Sequence, residues 1–180
     1  MPATTTNENP MKQHFSMFAA YNAWANRLIY DAAAKAGEDA LWVDLGLAFT
    51  SLGGTLNHVL VADGIWMKRF TGEGAAAKRL DAILFREIGP LWDAREAEDE
   101  RILRYVADLT DDDLGGRFSY TTTTDMRTIS QRVAPTLAHF FNHQTHHRGQ
   151  AHAALTRLAG EAPALDLAYF QRSEGGRSFA

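Results

Sequence analysis

The chain has 180 residues, of which 46% are hydrophobic and 22% charged, so the sequence indicates one globular domain that can bury its own core. A formal net charge of −4 disfavours a broad binding surface for nucleic-acid phosphates, which requires clustered Lys and Arg. Because the chain contains no cysteine, the composition excludes disulfides, thiolate metal ligands and a cysteine nucleophile.

The N-terminal segment MPATTTNENP lacks both the basic start and the apolar stretch of a secretion signal. No apolar run in the chain approaches the roughly 20 residues that are needed to cross a bilayer. We therefore expect a cytoplasmic protein without membrane contacts. Residues 1–10 are expected to form a flexible leader, residues 11–172 a single domain, and residues 173–180 a polar tail.

Hydrophobic periodicity predicts four long helices, with apolar side chains repeating at three- and four-residue steps. The predicted helices span about residues 11–35, 51–70, 90–107 and 131–159. Their ends carry recognisable signals. Thr50 or Ser51 can cap the second helix, Pro90 suits the first turn of the third, and Gly160 can end the fourth.

Between the third and fourth helices the segment GRFSYTTTTDMRTIS, residues 116–130, favours two short strands or an extended connection. The sequence therefore predicts an all-α fold, a four-helix bundle with a long crossover that holds a short β-hairpin or an extended segment. The apolar tail around Leu165 to Phe170 is expected to pack back onto the bundle. The third helix carries a run of charges that we interpret as a solvated face: Asp93, Arg95, Glu96, Glu98, Asp99, Glu100 and Arg101.

The segment FNHQTHHRGQAH, residues 141–152, holds four of the seven histidines. On a helical wheel, His147 lies at the centre of the apolar face and His143 about 40° away, whereas His146 and His152 point elsewhere. The two inward histidines are one turn apart, so they can share one metal ion.

An open metal centre of the zinc type generally uses three protein ligands, so a third must come from another helix. His58, in the middle of the second helix and near its apolar face, is the best-placed candidate. The spacing alone also fits hydrogen-bonded core histidines or a chance pair on a helix surface. If the helical phase is wrong, His139, His143 and His146 form the alternative group.

Three segments together resemble the DinB/YfiT family of bacterial four-helix proteins. They are YNAWANRLIY at 21–30, LNHVLVADGIW at 56–66 and NHQTHHRGQAH at 142–152, and the resemblance covers nearly the whole chain. It implies a bundle with a long crossover, frequent dimerisation, and a divalent metal held by three histidines. Matched to the family motifs, the ligands fall on His58, His143 and His147.

Several polar residues near these histidines have two interpretations. Asp63 either orients a metal-binding histidine or pairs with a Lys or Arg. Gln144 either contacts a ligand or lies at a bundle edge, and Arg148 either binds an anionic substrate group or pairs with an acid such as Glu161. Three residues of the first helix either line a pocket or belong to the core: Tyr21, Asn22 and Trp24.

The family that the chain resembles includes proteins of unknown activity. It also includes thiol-dependent transferases or isomerases that use small sulfur cofactors. We expect a metal-dependent enzyme that acts on a small molecule, with Zn²⁺ or Ni²⁺ as cofactor. Transfer or isomerisation with an external low-molecular-weight thiol is the first option and hydrolysis the second, with the catalytic residues unknown. The alternative is a non-catalytic metal-binding or interaction protein, for example of a stress response. The wide apolar face of the first helix predicts a homodimer.

Overall fold

The computed structural model describes residues 9–122 and 125–180, which are mostly helical with one small antiparallel sheet. In chain order the elements are α1 Pro10–Ala36, α2 Glu38–Leu41, α3 Leu52–Thr71, α4 Ile88–Asp108, α5 Asp111–Gly115, β1 Arg117–Thr121, β2 Thr128–Arg132, α6 Val133–Ala159, α7 Leu167–Arg172 and a 3-10 turn Arg177–Phe179. Most of the predicted leader, residues 1–8, and residues 123 and 124 of the predicted crossover lie outside the described residues.

The four long helices begin and end at residues suited to those positions. The Ser51 side chain accepts a hydrogen bond from the Gly54 amide and so caps α3. Gly160 ends α6 in the left-handed conformation, which costs glycine no Cβ clash. Pro90 lies in the first turn of α4, where its missing amide proton costs least. These boundaries confirm the predicted helices to within about two residues.

The connection between α4 and α6 contains the predicted hairpin. Strands β1 and β2 pair antiparallel, with Tyr120 opposite Ile129, and β2 leads directly into α6. Among the long helices, α1 packs against α4 and α6, and α3 also packs against α4 and α6. Each long helix therefore contacts two others, and α3 and α6 are direct neighbours.

Two large apolar clusters form most of the core, one toward each end of the long helices. The first cluster includes Phe15, Met67, Ile102, Leu137 and Phe140, and the second includes Ile29, Leu56, Leu60, Leu91 and Leu155. On each long helix the sequence positions between the two clusters hold buried polar side chains. This polar layer consists of Asn22, Asn26, Asp63, Arg95, Asp99, Gln144 and Arg148.

Two members of the layer contradict the predicted solvated face of the third helix. Arg95 is 1% exposed and Asp99 is 7% exposed. The remainder of that face carries mostly exposed or half-buried charges. The interpretation was wrong for these two residues because their partners lie on other helices, where spacing along α4 gives no indication of them.

The C-terminal segment folds back onto α1. Phe170 is 2% exposed and packs against Tyr21 and Trp24. The tail is therefore anchored by an aromatic cluster, as its apolar residues predicted. Within the described ranges, no helix is both long and apolar enough to span a membrane.

Candidate metal site

Three histidines from two neighbouring helices meet in one place. His58 comes from α3, while His143 and His147 lie one turn apart on α6. Each offers a ring nitrogen, and these three atoms lie within 4.8 Å of one another. The set combines the two histidines that the helical wheel placed inward with His58, the third candidate from the sequence, and it can hold a metal ion.

Hydrogen bonds to the outer ring nitrogens fix the tautomers of two of these histidines. His58 Nδ1 lies 2.8 Å from the backbone carbonyl of Leu80, and His147 Nδ1 lies 2.8 Å from Oε1 of Gln150. Both oxygens can only accept, so both Nδ1 atoms must carry the proton. Consequently both Nε2 atoms present a lone pair, which is the form that binds metals.

The two Nε2 atoms face each other at 3.2 Å. Two lone pairs at this distance repel unless a cation lies between the rings. Two nitrogens bound to one tetrahedral zinc, each about 2.0–2.1 Å from it, are about 3.3 Å apart. The observed separation therefore fits a shared divalent ion. The residues present suit the metal that the three-histidine pattern implies.

The surroundings of the site keep the imidazoles neutral. Burial, together with the neighbouring His147 and His58, lowers the pKa of His143 to about 4. Burial also lowers the pKa of His58 and that of His147, against hydrogen bonds to Leu80 and Gln150 that raise them. Neutral imidazole is the ligand form, so this environment favours coordination over protonation.

Phe49 forms an apolar wall on one side of the site. Its ring stacks on His58 with centroids 3.6 Å apart and an interplanar angle of 14°. The turn before α3 brings it there: Thr50 has a φ of 70°, and a Cβ on Gly54 would lie only 2.0 Å from the Phe49 carbonyl oxygen. Only glycine permits this close approach.

The other described histidines lie outside the cluster. His139 is exposed, with its ring edge-on to Trp66 at 5.2 Å, and His152 is half-buried. His146 is exposed, and its Nε2 lies 3.3 Å from the amide nitrogen of Gln150. The alternative grouping of His139, His143 and His146 is therefore not the one that the fold brings together.

Asp63 and Gln144 bind each other and not the histidines. Asp63 accepts hydrogen bonds from Arg95 at 2.6 Å and from Gln144 at 2.9 Å, with all three side chains buried. Burial raises the pKa of Asp63 to about 6, although Arg95 and Gln144 lower it. Of the two interpretations offered for Asp63, the ion pair is correct.

Arg148 is 4% exposed, and uncharged side chains accept its hydrogen bonds. It donates to Oδ1 of Asn22 at 2.6 Å and to the Thr145 hydroxyl at 3.4 Å, while Asn22 and Asn26 donate to Asp99 at 3.0 Å. Arg148 therefore neither pairs with Glu161 nor lies on the surface, where it could bind an anionic substrate group. Asn22 belongs to this layer, and Tyr21 and Trp24 belong to the aromatic cluster with Phe170.

Sequence reasoning missed three contributors to the site: Phe49, the Leu80 carbonyl and Gln150. Gln150 carried a usable signal, because it follows His147 by three residues on one helix and can reach its ring. Phe49 and Leu80 belong to the irregular segments before and after α3, whose paths follow from no periodic pattern.

Comparisons with known proteins identify the family of this chain. Protein DinB of Bacillus subtilis (strain 168) is 27% identical over 151 residues, which cover 80% of this chain and 85% of that protein. No solved structure matches the chain significantly. The model of the DinB family matches residues 11–177, which include all three clustered histidines, and the chain therefore belongs to the DinB family.

Proposed function

We propose that this protein is a metal-dependent enzyme that acts on a small molecule. In this proposal His58, His143 and His147 hold one divalent ion, Zn²⁺ or Ni²⁺, within a four-helix bundle. The observation that supports it most strongly is the 3.2 Å separation of the two Nε2 atoms, in rings whose Nδ1 atoms both face hydrogen-bond acceptors. A pair of this kind has no stabilising partner unless a cation is bound.

The composition of the cluster favours an open coordination position. Among the described residues the group contains three histidines and no carboxylate or further ligand. Three protein ligands are typical of catalytic zinc, whereas structural zinc is usually closed by four. The Phe49 ring excludes water from one side of His58, so that a substrate would approach from another.

A bound divalent ion lowers the pKa of a coordinated water or thiol toward neutrality and so supplies a nucleophile. The residues of the chain would hold the ion and orient its ligands. Leu80 and Gln150 keep the Nδ1 protons of His58 and His147 in place, so the Nε2 lone pairs of both rings stay directed inward. Because the chain has no cysteine, a thiol must arrive with the substrate. This favours a thiol-dependent transferase or isomerase over a hydrolase.

The proposal is tested by comparing metal-loaded and metal-stripped protein. Both forms are assayed against a panel of thiol-conjugation, isomerisation and hydrolysis substrates, with a low-molecular-weight thiol supplied. We expect turnover of at least one substrate by the loaded protein and its loss on stripping. Equal rates in both forms would remove the ion from the mechanism.

A second function is favoured by the position of the ligands on two different helices. An ion shared by His58 on α3 and the pair on α6 also ties these helices together, which fits a non-catalytic metal-binding or interaction protein. Such an ion would be coordinatively closed, with no exchangeable position. Displacement of bound water by an added thiol, measured by X-ray absorption on the loaded protein, separates the two functions.

We also propose a homodimer, but with an interface other than the apolar face of α1 from which the sequence predicted it. Phe15 and Tyr21 of that face are buried within the chain. Exposed apolar side chains instead occupy the connection between α3 and α4, where Leu80, Ile83 and Leu84 are 56%, 41% and 44% exposed. Clustered apolar exposure of this kind often marks an interface.

A further inference from the structure

A basic pocket lies at the C-terminal end of α3, outside the histidine cluster. It has a volume of about 490 Å³ and lies between the end of α3, the loop that follows it and strand β1. Three cationic side chains line it, Lys68, Arg69 and Lys78, and its lining includes no carboxylate. The electrostatic potential in the pocket therefore favours an anion.

Two aromatic rings hold the guanidinium of Arg69. Its central carbon lies 4.5 Å from the Trp66 ring centroid and 4.4 Å from that of Tyr120. Stacking of this kind fixes the plane of the guanidinium and leaves the N–H groups at its edge available to bind a carboxylate or a phosphate. The residue is half-buried, so the charge is partly removed from water.

The cations of the pocket lack protein acceptors. Throughout residues 9–122 and 125–180, the side chains of Lys68, Arg69 and Lys78 make no hydrogen bond or ion pair. The nearby Arg79, in contrast, has an acceptor, because it donates two hydrogen bonds to Asp81 at 2.9 and 2.6 Å. An oriented, partly desolvated arginine without an acceptor is suited to a ligand carboxylate or phosphate.

The pocket lies on the same side of α3 as the metal site. Arg69 follows His58 by eleven residues, which is about 20° around the helix and about 16 Å along its axis. Trp66, beside Arg69, contacts His139, whose ring centroid is 6.1 Å from that of His143. The loop that carries Lys78 also carries Leu80, the hydrogen-bond partner of His58.

We propose that this pocket binds the anionic group, a carboxylate or a phosphate, of the small molecule whose reacting end lies at the three histidines. The placement of that reacting end rests on the proposed function, whereas anion binding by the pocket does not. The substrate class that follows is an elongated small molecule with its anionic group one to three helical turns from the reacting atom. The cations hold this end while the metal site acts on the other.

Calorimetric titration at low ionic strength tests the pocket directly. Inorganic phosphate and glutarate are titrated separately into the wild type, Arg69→Gln, the double variant Lys68→Gln/Lys78→Gln, and Arg79→Gln as a control. We expect saturable binding of one of the two anions at one site per chain. Each pocket variant should weaken it about tenfold, because hydrogen bonds to charged groups are lost, while Arg79→Gln should leave it unchanged.

The double variant keeps the test valid if Arg69→Gln disturbs the hairpin, because Lys68 and Lys78 are exposed and carry no packing role. Binding of phosphate or of glutarate identifies the anionic group of the ligand as a phosphate or a carboxylate. Absence of saturable binding to the wild type, or equal weakening by Arg79→Gln, overturns the proposal. The metal content of the same samples separates the pocket proposal from the proposed function. Loss of anion affinity with full metal content concerns the pocket alone. Anion binding by a chain that retains no metal contradicts only the proposed function.

Discussion

Gln150 is the side chain that fixes the ligand tautomer of His147. Its Oε1 accepts the Nδ1 proton of His147, and its amide nitrogen lies 3.3 Å from Nε2 of His146. The amide is therefore held between two rings in one orientation. His146, which lies outside the cluster, thus makes its hydrogen-bond contact with the site through Gln150.

Replacing Gln150 tests this role. In Gln150→Ala, His147 can place its proton on Nε2, so we expect metal affinity to fall about 10–100-fold. Competition with a chromophoric chelator measures the affinity. The matched control is Asn142→Ala, an exposed position on the same helix, and an equal loss in both variants would show that the effect comes from α6 as a whole.

At the scale of single residues, the sequence identified the three histidines that cluster but not the groups that support them. The helical wheel is local and needs only the phase of α6, so it placed His143 and His147 inward correctly. His58 could be chosen because it lies in the middle of a helix near the apolar face. The Leu80 carbonyl could not be chosen, since its position depends on how the irregular segment after α3 returns toward that helix.

At the scale of helices, the polar layer joins all four long helices between the two apolar clusters. It contains two carboxylates, Asp63 and Asp99, and two guanidiniums, Arg95 and Arg148, so its charges balance. Arg95 contacts Asp63 at 2.6 Å and Asp99 at 3.1 Å. Such a layer disfavours sliding of one helix along another, because a shift would leave buried charges without partners.

Removal of the Arg95 cation should therefore destabilise the folded protein. Arg95→Met leaves two buried carboxylates without their shared partner, and we expect a loss of about 3–5 kcal/mol in the free energy of unfolding at neutral pH. Urea denaturation measures it. Arg104→Met on the same helix removes only an exposed pair with Glu100 and should change stability little.

The same variant carries a pH signature. Burial raises the pKa of Asp63 to about 6 while Arg95 lowers it, so loss of Arg95 raises this pKa further. Above the unfolded-state pKa the folded variant then holds more protons than the unfolded chain, and its stability falls as pH rises. The deficit relative to wild type should be smaller at about pH 5 than at about pH 8. An equal deficit at both values would exclude this carboxylate as the origin.

The helices themselves were predictable, whereas their polar contacts were not. Caps and apolar periodicity depend on neighbours in sequence, which is why the ends of α3 and α6 agree with the prediction. Burial of Arg95 and Asp99 depends on Asp63 and Asn26, which lie on other helices. A charge run on one helix therefore resembles a solvated face until its neighbours are known.

At the scale of the whole molecule, the proposed homodimer predicts a defined mass in solution. We expect light scattering at micromolar concentration to give twice the 19.9 kDa mass of one chain. Ile83→Glu/Leu84→Glu should halve the measured mass by placing charges in the proposed interface, whereas Leu103→Glu, at an exposed apolar position on α4, should not. A monomeric wild type would contradict the homodimer.

The most direct test of the account is the metal content of six histidine variants after dialysis, determined by elemental analysis. His58→Ala, His143→Ala and His147→Ala each remove a ligand, so each purified variant should retain little metal. The three control variants, at His139, His146 and His152, should remain nearly loaded. Metal retained by His147→Ala but lost by His146→Ala would contradict the proposed site and require a different set of ligands.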